Sequence, residues 1–541
     1  MFLLKDSKKG LIWCAMLALA VSFMSGCVVS QSTTGVPKTF KVTTSDKYPL
    51  ETDVELSYWL ALPTGVAAYS NSMNNILLKE HLEEKTGVGI RFVHPPIGQT
   101  AEAFGLMIAS GDLPDIIEYG WLTYPGGPEK AINEGIITSL NEYIDTISPN
   151  FEKVLAERPD IDRQVKTEEG SYFSYPFLTN GGIQATSMGF IIRQDLLDKA
   201  GLQAPVTLEE WDTVLRAFKS MGVEVPLSLR LDGYNLKEVS PFTGLFSVYS
   251  DYYVEDGVVK YGPYEKNYEA WVRQMSKWYK DGLLDNDFAS IDSTRLTSLV
   301  VNGQVGSTYC YAGSELGMWL PVIKEKNSEF IYRPIQYPSV SRSAKPMIGQ
   351  KKLSILNICS AISAKCENKE VAVRFLDYGY SEEGGMLYNF GKEGVSYVMN
   401  DGEPVYTDAI MDVNSNGGLS IGQAMSKYIR GSYYGPFVQD LRYVLQYMQE
   451  KTQKDALYLW SDTEMDKYLL PFLTLSEADN KQYSKIMQDA DTYKQEKLFK
   501  FISGTEDLGS FPNYYSELKN MGIEDAIALR QKAYDAYLAN K

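Results

Sequence analysis

Ala109-Ser110-Gly111-Asp112-Leu113-Pro114-Asp115-Ile116-Ile117-Glu118-Tyr119-Gly120-Trp121 is the stretch on which the fold turns. Just before it, residues 102–108 carry apolar side chains three and four apart, the spacing of one helix face. Gly111 stands where a helix stops, because glycine takes the left-handed conformation without a Cβ clash. Pro114 disfavours helix at Leu113 and starts residues 115–118 as an extended, apolar run. The reading is helix, tight turn, short buried strand. It delivers Glu118, Tyr119 and Trp121 to the carboxyl end of that strand, where open α/β sheets bind ligands. A large aromatic there is either a stacking platform or a cap on the core.

Outward from this stretch the same alternation continues. Residues 54–60 alternate towards a strand that ends in Tyr58 and Trp59. Residues 74–85 are helical by pattern and closed by Gly87, and residues 89–93 read as a second strand. A strand-helix-strand-helix-strand order with short apolar strands predicts a parallel, doubly wound sheet. Further on, residues 170–176 and 188–193 read as strands and residues 194–200 as a helix ending at Gly201. Thr207 with Glu210 three residues later forms a capping box opening the next helix.

At 541 residues the chain is longer than one compact core usually serves, so two lobes are expected. The formal net charge of −17 argues against nucleic acid and against adhesion to anionic lipid, both of which need basic patches. There are 38 Tyr and 8 Trp beside 2 His, which favours flat amphipathic contact surfaces over a His-based metal site or triad. Lys5, Lys8 and Lys9 precede an apolar run over 11–23 that is too short to span a bilayer. Met24-Ser25-Gly26-Cys27 follows and resembles a bacterial lipobox, with Met24 where Leu is usual. That resemblance implies cleavage before Cys27 and a lipid on its thiol. Beyond the signal and Cys27, only Cys310, Cys359 and Cys366 remain, an odd number that is no disulfide framework; Cys359 and Cys366 could pair, but buried free thiols are the favoured reading.

Residues 193–202 with Thr207-Leu208-Glu209-Glu210-Trp211 resemble the extracellular solute-binding proteins of bacterial ABC importers. Asp112-Leu113-Pro114-Asp115-Ile116, Asn302-Gly303-Gln304-Val305-Gly306 and residues 368–384 are similar to the sugar-binding branch that contains maltodextrin-binding protein. Residues 389–397, 401–406 and 473–478 and the closing helix over 523–538 resemble its large LplA- or LipO-type lipoproteins. The resemblance implies an α/β, two-lobed, type II periplasmic-binding-protein-like fold. Each lobe would be a mostly parallel sheet flanked by helices, joined by a crossing-strand hinge. It divides the chain into a lipoprotein signal peptide (1–26), a lipid-anchored flexible tether (27–50), one lobe (51–187 plus 352–420) and another (188–351 plus 421–541). The implied role is capture of an oligosaccharide and its delivery to an ABC permease at the outer face of the cell membrane, held there by the lipid anchor alone. A monomer with no cofactor and no covalent chemistry is expected. The alternatives are a cell-surface polysaccharide lyase or hydrolase, or a ligand-presenting partner of a sensor kinase.

Sugars offer apolar C–H faces and a rim of hydroxyls, so aromatic platforms beside planar polar groups are the candidate contacts. Four places near predicted strand ends supply them: Tyr58 and Trp59; Glu118, Tyr119 and Trp121; Tyr175; and Tyr309 and Tyr311 with Trp319 beyond. For each, core packing is the competing reading. Arg193 either grips an acidic sugar or pairs with Asp195. Trp211, Trp271 and Trp278 sit at helical spacing and read as packing. Asp412-Val413-Asn414-Ser415-Asn416-Gly417 has EF-hand-like spacing, but Gln423 at the twelfth position cannot give a bidentate carboxylate, which favours a plain turn before a helix. No His-Glu-x-x-His or P-loop is present.

Overall fold

The computed structural model describes residues 47–231, 236, 239–326, 329–430 and 434–539. Cys27, the signal segment and the tether up to residue 46 lie outside the described residues. The opening stretch folds as its chemistry dictates. Helix Thr100–Ser110 ends at Gly111, whose φ of +69° turns its N–H back onto the carbonyls of Ile108 and Met107. After Pro114 the chain runs straight into a strand. Asp115 accepts hydrogen bonds from the Ser57 amide (2.8 Å) and hydroxyl (2.7 Å), which ties that strand to its neighbour before the ladder begins.

The first sheet contains β1 (Glu55–Trp59), β2 (Gly89–Val93), β3 (Ile116–Gly120) and β4 (Tyr175–Leu178). The second contains β5 (Met188–Arg193) and β6 (Val225–Ser228). A hairpin of β7 (Tyr252–Glu255) and β8 (Val258–Tyr261) leads to β9 (Val305–Tyr311) and β10 (Tyr332–Ile335), which join the second sheet. The chain then returns to the first sheet as β11 (Ile355–Ile362). A second hairpin follows, β12 (Tyr397–Asn400) and β13 (Glu403–Tyr406). The sheet orders are β2-β1-β3-β11-β4 and β10-β5-β9-β6. Parallel pairing holds for β2-β1-β3 and for β6 with β9. β11 and β5 each begin at a crossing and pair antiparallel with their neighbours, so both sheets are mixed. The strand expected over 170–176 begins at Tyr175; residue 172 makes only an isolated bridge to Lys166.

Three stretches cross between the sheets: 179–187, 336–354 and the approach to Asp440. They are knitted together. The Gln350 side chain accepts from the Ser187 amide (2.7 Å), and Tyr337 donates its hydroxyl to the Met188 carbonyl (2.7 Å) and accepts from the Gln350 amide (2.8 Å). The Leu178 and Gln439 amides donate to the Phe437 and Leu178 carbonyls, and the Gln184 amide group reaches the Gln439 carbonyl (2.9 Å).

Each sheet has its own apolar core. Ile117, Phe104, Trp121 and Phe173 belong to the first. Phe190, Trp211, Trp271, Trp278 and Tyr309 belong to the second, which also takes in the C-terminal helices Glu477–Ser503, Phe511–Asn520 and Ile523–Ala539. Trp460 lies flat against Gly189 of β5, where a Cβ would overlap its indole, and donates to the Ile335 carbonyl (3.0 Å). The segment around Met425 and Ile429 packs with Phe390, Tyr397, Tyr406 and Ile410 rather than with the second sheet's core. Cys310, Cys359 and Cys366 are buried and free.

Candidate functional site

A cleft opens where the carboxyl ends of β1, β3 and β9 meet the crossings. It has two adjoining halves of about 630 Å³ each, which share Asn357, Ile358 and Tyr434. The half on the first sheet is lined by the loop after β1 (Leu62 to Thr64), by Glu118 and Tyr119, and by Arg430 and Tyr443. The half on the second is lined by Tyr311, Gly313, Lys352, Tyr447 and Met448.

The polar floor of the first half is a buried network. Arg430 donates to Glu118 Oε1 at 2.6 Å, and both side chains are about 95% buried. Tyr58 donates to Glu118 Oε2 at 2.9 Å and shares a 2.5 Å hydrogen bond with the Ser360 hydroxyl. Burial, then the Glu118 charge, pushes the Tyr58 phenol well up, so it stays a donor. In the second half, burial lowers the Lys352 amine from its ordinary 10.5 to about 8. Tyr434 is 36% exposed and stands where the halves join.

Of the residues read from the sequence, the structure brings Glu118, Tyr119 and Tyr311 to this cleft. Tyr58 reaches it only through Glu118. The others are core. Trp59 packs on Phe104 and Tyr119, and Trp121 is fully buried edge-on to Phe104. Tyr175 is buried with its hydroxyl on Ser148 (3.0 Å). Tyr309 is buried, hydroxyl to hydroxyl with Tyr337 (2.9 Å). Trp319 is buried with its indole N–H on Thr297 (3.0 Å). Arg193 takes the Asp195 alternative, a forked pair at 2.7 and 2.6 Å, with a third bond to the Gly303 carbonyl. None of these six lines the cleft. A side chain can serve only the surface it faces, and each of these faces a core or a buried partner.

Sequence reasoning missed Asn357, Arg430, Tyr434, Tyr443, Tyr447 and Lys352. The available signal was Tyr433-Tyr434 bracketed by Gly431 and Gly435-Pro436, an aromatic pair in a stretch too rich in turn formers to be core.

The loop at Asp412 spends its polar groups on itself. Asp412 accepts from the Ser415 hydroxyl (2.6 Å) and the Asn414 amide (3.2 Å), and Gln423 accepts from the Ser420 amide in a capping box. Neither histidine lines the cleft. Burial pushes the Cys359 thiol up to about 12, which keeps it from acting as a thiolate. What the cleft presents is tyrosine faces beside amide, guanidinium, carboxylate and ammonium groups, a set suited to holding a polyhydroxylated ligand.

Two α/β sheets with separate cores, joined by three crossings and holding a cleft between them, define a two-lobed binding protein. A model of the bacterial extracellular solute-binding protein family matches residues 67–386, more than half of the chain, and the protein belongs to that family. The fructooligosaccharide ABC transporter substrate-binding protein FusA of Streptococcus pneumoniae is 24% identical over 507 residues, 86% of this chain and 88% of its own. Lipoprotein LipO of Bacillus subtilis is 26% identical over 339 residues, 59% of this chain and 64% of its own. The crystal structure of the alginate-binding protein AlgQ2 without calcium ion superposes with a TM-score of 0.71 at 22% identity, covering 91% of this chain and 99% of that one. FusA of S. pneumoniae in complex with kestose gives 0.71 at 21% identity, covering 90% and 100%. These two likenesses establish the fold.

Proposed function

We propose that this protein is the lipid-anchored, extracellular solute-binding component of an ABC importer, which captures an oligosaccharide between its lobes and delivers it to the permease. The observation that carries the reading is the tyrosine-lined cleft between two sheets in a chain of this family. FusA, a substrate-binding protein for fructooligosaccharides, supports a glycan as ligand, and LipO, a lipoprotein, supports anchoring through Cys27. Tyr119, Tyr311 and Tyr434 are the stacking faces, and Glu118, Arg430 and Asn357 the hydroxyl-binding groups. The first lobe runs over 51–178 plus 355–430, the second over 188–335 plus 441–539, with the three crossings between them as the hinge. Ligand favours the closed form through contacts made only when both lobes meet, and the closed lobes dock on the permease.

The test is a thermal-shift screen of residues 28–541 against glycan fragments, with peptides included. Binding to the native state raises the melting temperature by mass action. A shift with one glycan family whose chain length is unchanged after incubation supports transport. Shortened chains transfer the reading to an enzyme, and a shift with peptides alone removes the sugar.

A further inference from the structure

Residues 61–72 leave the end of β1 and return at the 3-10 turn Met73–Asn75. Ala61, Leu62, Pro63 and Thr64, at the start of this loop, line the first half of the cleft. One side chain from outside the loop holds both of its ends. His94, just past β2, brings Nδ1 to 3.0 Å from the Leu60 carbonyl and accepts at Nε2 from the Met73 amide at 3.1 Å. A carbonyl can only accept and a backbone amide can only donate, so this imidazole is neutral and carries its proton on Nδ1. Asn74 fixes the same turn to β2, donating to the Phe92 carbonyl (2.8 Å) and accepting from the Phe92 amide (2.9 Å). Met73 carries the contact on to the floor of the cleft. Its buried sulfur lies 3.6 Å from Arg430 Nη1, in the guanidinium that holds Glu118.

We propose that His94 is a positioning residue of the ligand site: a neutral imidazole that staples the two ends of loop 61–72, holds Ala61 to Thr64 against the cleft, and lets go when protonated. This rests on the importer reading above, which makes the cleft the ligand site, and adds a control on it. A loop ordered in advance spares the ligand the entropy of ordering it. Protonation places a second N–H at Nε2, donor against donor with the Met73 amide, so the imidazolium cannot hold both ends. Burial, above all, lowers the imidazole below its ordinary 6.5; the Leu60 carbonyl pulls it up and the Arg430 charge pushes it down. From the loop side the ring shares a surface groove with Tyr69, a phenol raised by burial, over which Lys427 stands at 5.7 Å. No carboxylate lines that groove among the described residues. The sign follows from the neutral form being the competent one. Affinity is full above the imidazole's own midpoint and falls in acid, approaching about tenfold per pH unit below it.

The chain has two histidines, so His94→Gln identifies the His94 signals in a protein carrying nitrogen-15 histidine. The experiment follows those signals, hydrogen exchange of the 61–73 amides relative to intrinsic rates, and affinity for fructo-, malto- and xylo-oligosaccharides and oligogalacturonates, from pH 7.5 down to 5. The expected result is an Nδ1–H tautomer whose midpoint lies below 6.5, with loop exchange rising and affinity falling together through that midpoint. Glutamine keeps an acceptor for the Met73 amide and asparagine a donor for the Leu60 carbonyl, and neither titrates. His94→Gln and His94→Asn are each expected to bind about tenfold more weakly at pH 7.5 and to lose the acid dependence. An Nε2–H tautomer, or an affinity profile shared by wild type and both variants, overturns the inference and leaves the importer reading standing. No binding to any of these glycans counts against the importer reading. Loop exchange then decides the staple alone, and exchange unmoved by pH in the wild type overturns it even where a variant fails to fold.

Discussion

Glu118 and Arg430 meet at 2.6 Å across 312 residues of intervening chain, inside the floor of the cleft. The pair fastens Arg430 to the end of β3, in the half of the site that shares Tyr434 with the other. A buried pair contributes little net stability when intact, because desolvation offsets attraction, but breaking it strands a charge.

Replacing Arg430 with Met is accordingly expected to destabilise the protein by about 3–5 kcal/mol, read as a lower urea midpoint. Adding Glu118→Gln to that variant is expected to recover most of the loss. Equal stability of single and double variants would show that the cost is lost packing of the arginine stem instead.

Gly189 is a second fixed point. A Cβ there falls inside the indole of Trp460, which is itself held by the Ile335 carbonyl. Gly189→Ala is expected to cost about 1–3 kcal/mol as an overpacked core, measured by calorimetry. An unchanged melting temperature would mean that the helix carrying Trp460 yields easily.

Tyr434 and Trp121 are expected to separate binding from stability. Tyr434→Ala removes a ring that is one-third exposed, so the melting temperature of the free protein should hold while ligand affinity falls about tenfold, the loss of roughly 1.4 kcal/mol. Trp121→Ala empties a fully buried site and should cost about 3–5 kcal/mol. The first result is checked by titration calorimetry, the second by denaturation.

Lys352 also predicts a stability profile without ligand. Its folded pKa of about 8 lies below the ordinary 10.5, so between those values the unfolded chain binds more protons than the folded one. Stability from this residue therefore rises with pH across that window, and the burial cost is full below pH 8. Lys352→Met should melt higher than wild type at pH 7, with the difference closing towards pH 10.5. A difference independent of pH would assign the gain to packing alone.

Much of the fold was legible because it is local. β2 and β5 fall on the residues read as strands, Gly111 and Gly201 take the left-handed turn that ends each helix, and the Thr207–Glu210 capping box forms. The site was legible only in part. Tyr119 reaches the cleft while Trp121, two residues on in the turn after β3, closes the core, and no feature of either residue type decides between those fates. Tyr309 and Tyr311 divide the same way, because β9 passes from the core to its half-buried end between them. Arg430 and Lys352 left no mark. Their meaning comes from partners and neighbours far away in the chain.

The three knitted crossings have a mechanical consequence. A single connecting strand would let the two bodies swivel and twist freely, and a ligand would have to pay for stilling each of those motions. Three strands bridged by Tyr337, Gln350 and Gln184 resist torsion and sliding, leaving one soft coordinate, a bend about the line they share. The route from open to shut is then close to one-dimensional, and the energy of ligand contact goes into position along it rather than into finding it.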